Sequence, residues 1–162
     1  MFYKSYGLGL IGWIISIPFI LIGLIIFAFI LCGANKAYWD HKITKMCEND
    51  GGVTVYEEVS LDREEYKQYI NKFGKLSIPK NNKASANLNY IRFDNREFIH
   101  RNYPTVRRYE FLVKRRSDNK ILGRRVSYSR VGGDFPTIIG HPTIFRCPEK
   151  TESLFNAVLK IE

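Results

Sequence analysis

The sequence predicts an α+β fold: an N-terminal transmembrane helix, then a small domain in which one or two helices pack on an antiparallel sheet. Three features carry that expectation. Leu8 to Cys32 runs without a charged side chain, and a helix of roughly 25 residues is about 37 Å long, enough to cross a hydrocarbon layer of about 30 Å with some tilt. After Gly33 the chain alternates period-two stretches with helical spacing and turn signals. That later part is long enough for one modest core. The expected organisation is a tail and transmembrane helix at 1–33, a juxtamembrane helix at 34–50 and an α+β soluble domain at 51–162.

The leading segment reads as an uncleaved anchor. A signal-peptide core is shorter and ends in small residues, whereas this run ends Phe29-Ile30-Leu31-Cys32-Gly33. A lipoprotein reading of Cys32 fails because Leu31 stands where that pattern needs a small residue. Tyr3 and Tyr6 before the run, and Tyr38 and Trp39 after it, suit the two aromatic belts of a membrane. Pro18 is expected to kink the helix.

From Asn35 to Asn49 the apolar residues Trp39, Ile43, Met46 and Cys47 keep helical spacing, and Gly51-Gly52 ends the stretch. Val53 to Leu61 alternates as one half-buried strand. Asp62 with Glu65 has capping-box spacing and opens a helix striped by Tyr66, Tyr69, Ile70 and Phe73, closed by Gly74. Lys75 to Asn87 is a polar loop. Leu88–Phe93 and Glu97–Tyr103 read as strands joined by a turn at Asp94-Asn95. Arg108–Arg116 and Ile121–Arg130 form a hairpin on a two-residue Asp118-Asn119 loop, which sets Tyr109 opposite Tyr128, Phe111 opposite Val126 and Arg115 opposite Leu122. Val131 to Cys147 is mostly turns, and Thr151–Ile161 is a helix or a final strand.

Charge is distributed unevenly. Of 25 Lys and Arg only Lys4 precedes residue 33, and all 16 Asp and Glu follow it, within a net charge of +9. The basic excess favours anionic partners such as lipid headgroups or acidic glycans. In the expected register Arg108, Lys114, Arg116 and Arg125 share one face, a candidate binding surface against the plainer reading of a solvated sheet face that resists edge pairing. The aromatic residues then lie on the other side, which argues against nucleic acid, since single-strand binders interleave aromatic and basic residues.

Nothing in the sequence specifies a reaction. His41, His100 and His141 stand in no metal-ligand spacing, so neither a metal nor another cofactor is expected. Asp134 and His141 are the only acid–base pair worth naming, as the core of an alternative small envelope hydrolase; no nucleophile accompanies them. An economical role for Gly132-Gly133 is a positive-φ turn, with Asp134 bonding the local backbone.

Topology is contested by two features. Lys36, Lys42 and Lys45 outnumber Lys4 across the helix, which favours a cytoplasmic domain and hence a membrane-recruited adaptor. Cys47 and Cys147 bracket 100 residues of chain, as a disulfide closing the domain would, or are two buried thiols. A disulfide implies an oxidising compartment. The combination Cys47-x-x-Asp50-Gly51-Gly52, Tyr128-x-Arg130-x-Gly132-Gly133-Asp134-x-Pro136, His141-Pro142 and Cys147-Pro148 resembles an uncharacterised family of small bacterial envelope proteins, exported, lipoprotein-like or membrane-anchored. That resemblance implies a single-pass inner-membrane protein with its N-terminus cytoplasmic and its domain periplasmic. The expected role is a binding or assembly module, meeting membrane lipids and an envelope protein partner.

Overall fold

The computed structural model describes residues 6–83, 87–134, 141–149 and 153–162. One unbroken helix, α1 (Tyr6–Asp50), carries the chain from the apolar stretch into the folded domain, with Pro18 inside it. It is long and apolar enough to cross a membrane, and Ile17 to Leu31 is exposed throughout. The following turns of α1 are different. There Ile43 and Cys47 are buried, and Trp39 and Met46 pack beside them.

The helix seats on a five-stranded antiparallel sheet. Its centre is the run β3 (Tyr90–His100), β4 (Thr105–Arg115) and β5 (Ile121–Val131). On the outer edge of β5, β1 (Gly52–Val55) pairs with residues 123–126 and β6 (Ile144–Cys147) with residues 128–131. Two short strands thus share one edge. The disulfide Cys47–Cys147 ties α1 to β6 across this edge, with Cα atoms 6.0 Å apart. Val59–Leu61 (β2) leaves the main sheet and pairs in parallel with the terminal Leu159–Ile161 (β7). Between them lie α2 (Arg63–Gln68) and α3 (Leu154–Val158).

Several expectations are corrected. The Val53–Leu61 stretch is two strands in two sheets, because the Tyr56 and Glu57 N–H groups both turn onto the Leu122 carbonyl. Asp94 and Asn95 are interior to β3, opposite Phe111 and Glu110, and Asp94 is held there by Lys80 and Arg92. The real turn is at 101–104. The Asp62 cap is present, accepting from the Glu64 and Glu65 N–H groups at 2.9 and 2.8 Å. Yet α2 stops at Gln68, since the Asn71 side chain takes the Phe73 and Lys75 N–H groups and bends the chain, leaving Phe73 exposed. The tail is both alternatives in series, α3 and then β7. Residues 144–147 form a strand where turns were expected; Pro136 lies outside the described residues.

The hairpin register also differs. Arg116 to Asn119 make a four-residue loop, with the Arg115 N–H on the Lys120 carbonyl and Asn119 at φ 57°. A further irregularity falls between Val113 and Lys114. Tyr109 therefore faces Ser127 and Phe111 faces Arg125, one residue from the expected pairing. A one-residue slip exchanges the faces of one strand relative to the other, and this determines which basic and aromatic residues share a face.

Two cores result. Val106, Val126 and Tyr128 point to the face that α1 covers. Val113 and Leu122 join Leu154, Val158, Leu159, Leu61 and Tyr69 in the other, which α3 caps at the hairpin end. Gly123 makes that cap fit: a Cβ there would stand 2.5 Å from Val158 Cγ2 and 3.0 Å from Leu154 Cδ1. Gly123→Ala is expected to destabilise the protein by about 1–3 kcal/mol through overpacking, read as a lower urea midpoint for the full chain in detergent.

Candidate anion-binding sheet face

Period-two alternation divides the basic residues of β3, β4 and β5 between two faces with opposite electrostatic fates. On the face under α1 every Arg is neutralised. Arg108 meets Asp50 and Glu110 at 3.2 and 3.3 Å, and Arg124 meets Glu110 at 2.6 Å. Arg130, 1% exposed, is clasped by Asp40 at 2.5 Å and also donates to the Gly132 carbonyl. A buried guanidinium needs such partners, because an uncompensated charge there costs about 3–5 kcal/mol. The Asp50 carboxylate also accepts the Tyr128 hydroxyl at 2.5 Å. These contacts fasten α1 to the sheet.

The open face carries Arg92, Asp94, Arg96 and Phe98 from β3, Arg107, Tyr109 and Phe111 from β4, and Arg125, Ser127 and Ser129 from β5. Arg and aromatic side chains stack on one another: Arg96 lies 5.7 Å from the Tyr109 ring centre, Arg107 4.9 Å from Phe98, and Arg92 5.9 Å from Phe111. Such stacking holds a guanidinium in place without consuming its charge. Among the described residues no carboxylate pairs with Arg96, Arg107 or Arg125. The Nε atoms of Arg107 and Arg125 are buried without a hydrogen-bond partner among those residues. At the α3 end the face opens into a cavity of about 150 Å³ lined by Arg92, Phe111, Arg125, Ser153, Leu154 and Phe155.

Tyr109 sits within this cluster. Burial alone would push its phenol up, but hydrogen bonds from Arg107 and Ser129 and the charges of Arg107 and Arg96 hold it below its ordinary value. The surroundings thus favour negative charge at that point, which is what an anion-binding surface requires. Geometrically the face can hold anions.

The four residues expected to form a patch are dispersed. Arg108 is ion-paired beneath α1, Lys114 lies 4.7 Å from the Phe93 ring centre on that same face, and Arg116 is in the hairpin loop with its N–H on the Asn89 carbonyl. Arg125 alone belongs to the open face. Arg96, Arg107 and Tyr109 were missed because the slipped register set the aromatic residues against the cations; the αL tendency of Asn119 was the available signal. The expected turn at Gly132-Gly133 is present at φ 81° and 94°. Asp134 accepts from the Thr143 N–H at 3.2 Å and the Tyr103 hydroxyl at 3.4 Å. It closes the loop there, and His141 is exposed. No group of three or more His, Cys, Asp or Glu among the described residues could hold a metal ion.

The fold and this face define an α+β domain with a basic, aromatic-rich sheet surface, continuous with a helix long and apolar enough to cross a membrane. Comparison with family models, curated proteins and solved structures returns no match to the chain.

Acid should loosen the seat of α1. Burial pushes the Glu110 carboxyl up, but hydrogen bonds from Arg124 and Arg108 outweigh this and hold it below the ordinary value of 4.5. A group depressed on folding contributes stability that is present above its unfolded value and lost as pH falls through the folded one. The expected outcome is a urea midpoint that drops on acidification below about pH 4.5, with a shallower drop in Glu110→Gln.

Proposed function

We propose that the chain is a single-pass membrane protein whose disulfide-closed domain works on the extracytoplasmic side as a binding module for an anionic polymer. In a bacterial envelope this corresponds to an inner-membrane protein with a periplasmic domain, the setting that the Cys47 to Cys147 motif pattern suggests. The observation that carries the reading is the contrast between the two sheet faces. Arg108, Arg124 and Arg130 are spent on carboxylates of the fold, whereas Arg96 and Arg107 are positioned by aromatic rings and these two and Arg125 have no acidic partner among the described residues. They occupy three successive side-chain rows of the open face, one on each of β4, β3 and β5, so a polymer carrying repeated negative groups and lying across the sheet would meet more than one of them at once.

Support for the compartment comes from the disulfide, a linkage that persists where thiols are not kept reduced. Closing a loop of this length is worth about 4–5 kcal/mol in the chain-entropy account, a large share of a small domain's stability. The lysine count around the helix favours the opposite orientation, but a disulfide-dependent domain would be poorly maintained in a reducing cytosol. The hydrolase reading has no structural support, since Asp134 is engaged in its own loop.

Two outcomes are expected. The full chain in detergent should bind heparin-agarose and elute at high salt, while the triple variant Arg96→Glu, Arg107→Glu, Arg125→Glu elutes at markedly lower salt with an unchanged urea midpoint. Equal elution of the two would remove the sheet face from the reading. In intact cells, a Cys32→Ser chain should react with a membrane-impermeant maleimide only after an impermeant reductant has opened Cys47–Cys147. Labelling that needs lysis would place the domain in the cytoplasm.

A further inference from the structure

The unbroken course of α1 converts positions along it into heights above a bilayer. Trp39 has its ring centre 4.6 Å from that of His100, and Asp40 clasps Arg130. These residues lie seven and eight positions past Cys32, about 11–12 Å above the hydrocarbon boundary of an upright helix, of which headgroups fill roughly 5–7 Å. Asp50 meets Arg124 and Tyr128 while Asp40 meets Arg130, so β5 runs back along α1 toward the membrane. Past His100 and Arg130 the chain continues in that direction through the 101–104 turn and residues 131–134, with Ile144 paired opposite Val131. This is the lower edge of the domain.

Its composition is that of a membrane interface. Arg101 is exposed and has no acidic partner among the described residues. Tyr103 is 47% and Ile144 56% exposed, large apolar surfaces turned away from both cores. Asp134, an acid among the described residues of this edge, is occupied by the Thr143 N–H and the Tyr103 hydroxyl. Lys36 stands one helical turn below Asp40, which it pairs with at 3.4 Å. Aromatic, aliphatic and basic side chains at headgroup height are the combination that settles on an anionic lipid surface.

We propose that the edge formed by Arg101, Tyr103 and Ile144 rests in the headgroup layer of the bilayer that α1 crosses, a second contact that recognises anionic lipid. This proposal needs neither the open sheet face nor its ligand. With Cys47 and Cys147 bonded, a Cys32→Ser chain leaves a single introduced thiol for a nitroxide label. The label goes at Asn102→Cys on the edge, or at Ser117→Cys on the hairpin tip at the far end of the sheet. The full chain is placed in nanodiscs of phosphatidylcholine with or without phosphatidylglycerol. Expected is a several-fold lower accessibility of the Asn102 label to a water-soluble nickel chelate than of the Ser117 label. The difference should shrink in neutral discs and in Arg101→Glu with Ile144→Ser. Equal accessibility at both sites would leave the edge in water, open to a protein partner, and overturn the proposal; so would equal shielding in neutral and anionic discs. If Asn102→Cys misfolds, His141→Cys on the same edge carries the label and the same criteria.

Discussion

The attachment of α1 to the sheet is the constraint on which the rest of the molecule depends. A helix that is apolar and exposed along one stretch and packed in a protein core along the next can be both only if its side chains change character abruptly. They do, between the exposed run ending at Leu31 and the buried Ile43 and Cys47. Three kinds of force act at that seat: burial of Ile43 against Val106 and Val126, ion pairs from Asp40 and Asp50 to Arg130, Arg108 and Arg124, and the covalent bond to Cys147.

That seat also explains why the basic residues have two roles. An α1 carrying Asp40 and Asp50 onto the sheet claims the cations of the face it covers. Among the described residues the opposite face is capped by the short α3 at one end, and its Arg96 and Arg107 are held by aromatic stacking. The electrostatic asymmetry of the domain therefore follows from which face received the helix.

Much of this was legible in the sequence. The long apolar helix, its helical continuation, the Asp62 cap, the Gly132-Gly133 turn and the Cys47–Cys147 pairing rest on residue types and positions whose expected structure is present. The composition of the open face was not legible, for a physical reason. An expected register can be checked by matching apolar sides, but here β4 and β5 are apolar in part on both faces: Val106 and Val126 serve the α1 core, Val113 and Leu122 the other. Such strands match almost equally well when slipped by one. The deciding information lay in the turn, where Asn119 takes the left-handed conformation and lengthens the loop. Similarly, Asp94-Asn95 has turn composition, and it takes Arg92 beside it and the distant Lys80 to make Asp94 tolerable inside a strand.

Because the segment from Gly33 to Asp50 is helix and not a pliable tether, the domain has no slack. Asp50 is eighteen residues beyond Cys32, about 27 Å along a straight rod. On the proposed membrane reading the rod would hold the domain at a fixed height, sweeping a thin shell along the bilayer without casting outward. Whatever it engages must come to that level, and any tilt or rotation of the buried rod turns the whole head with it.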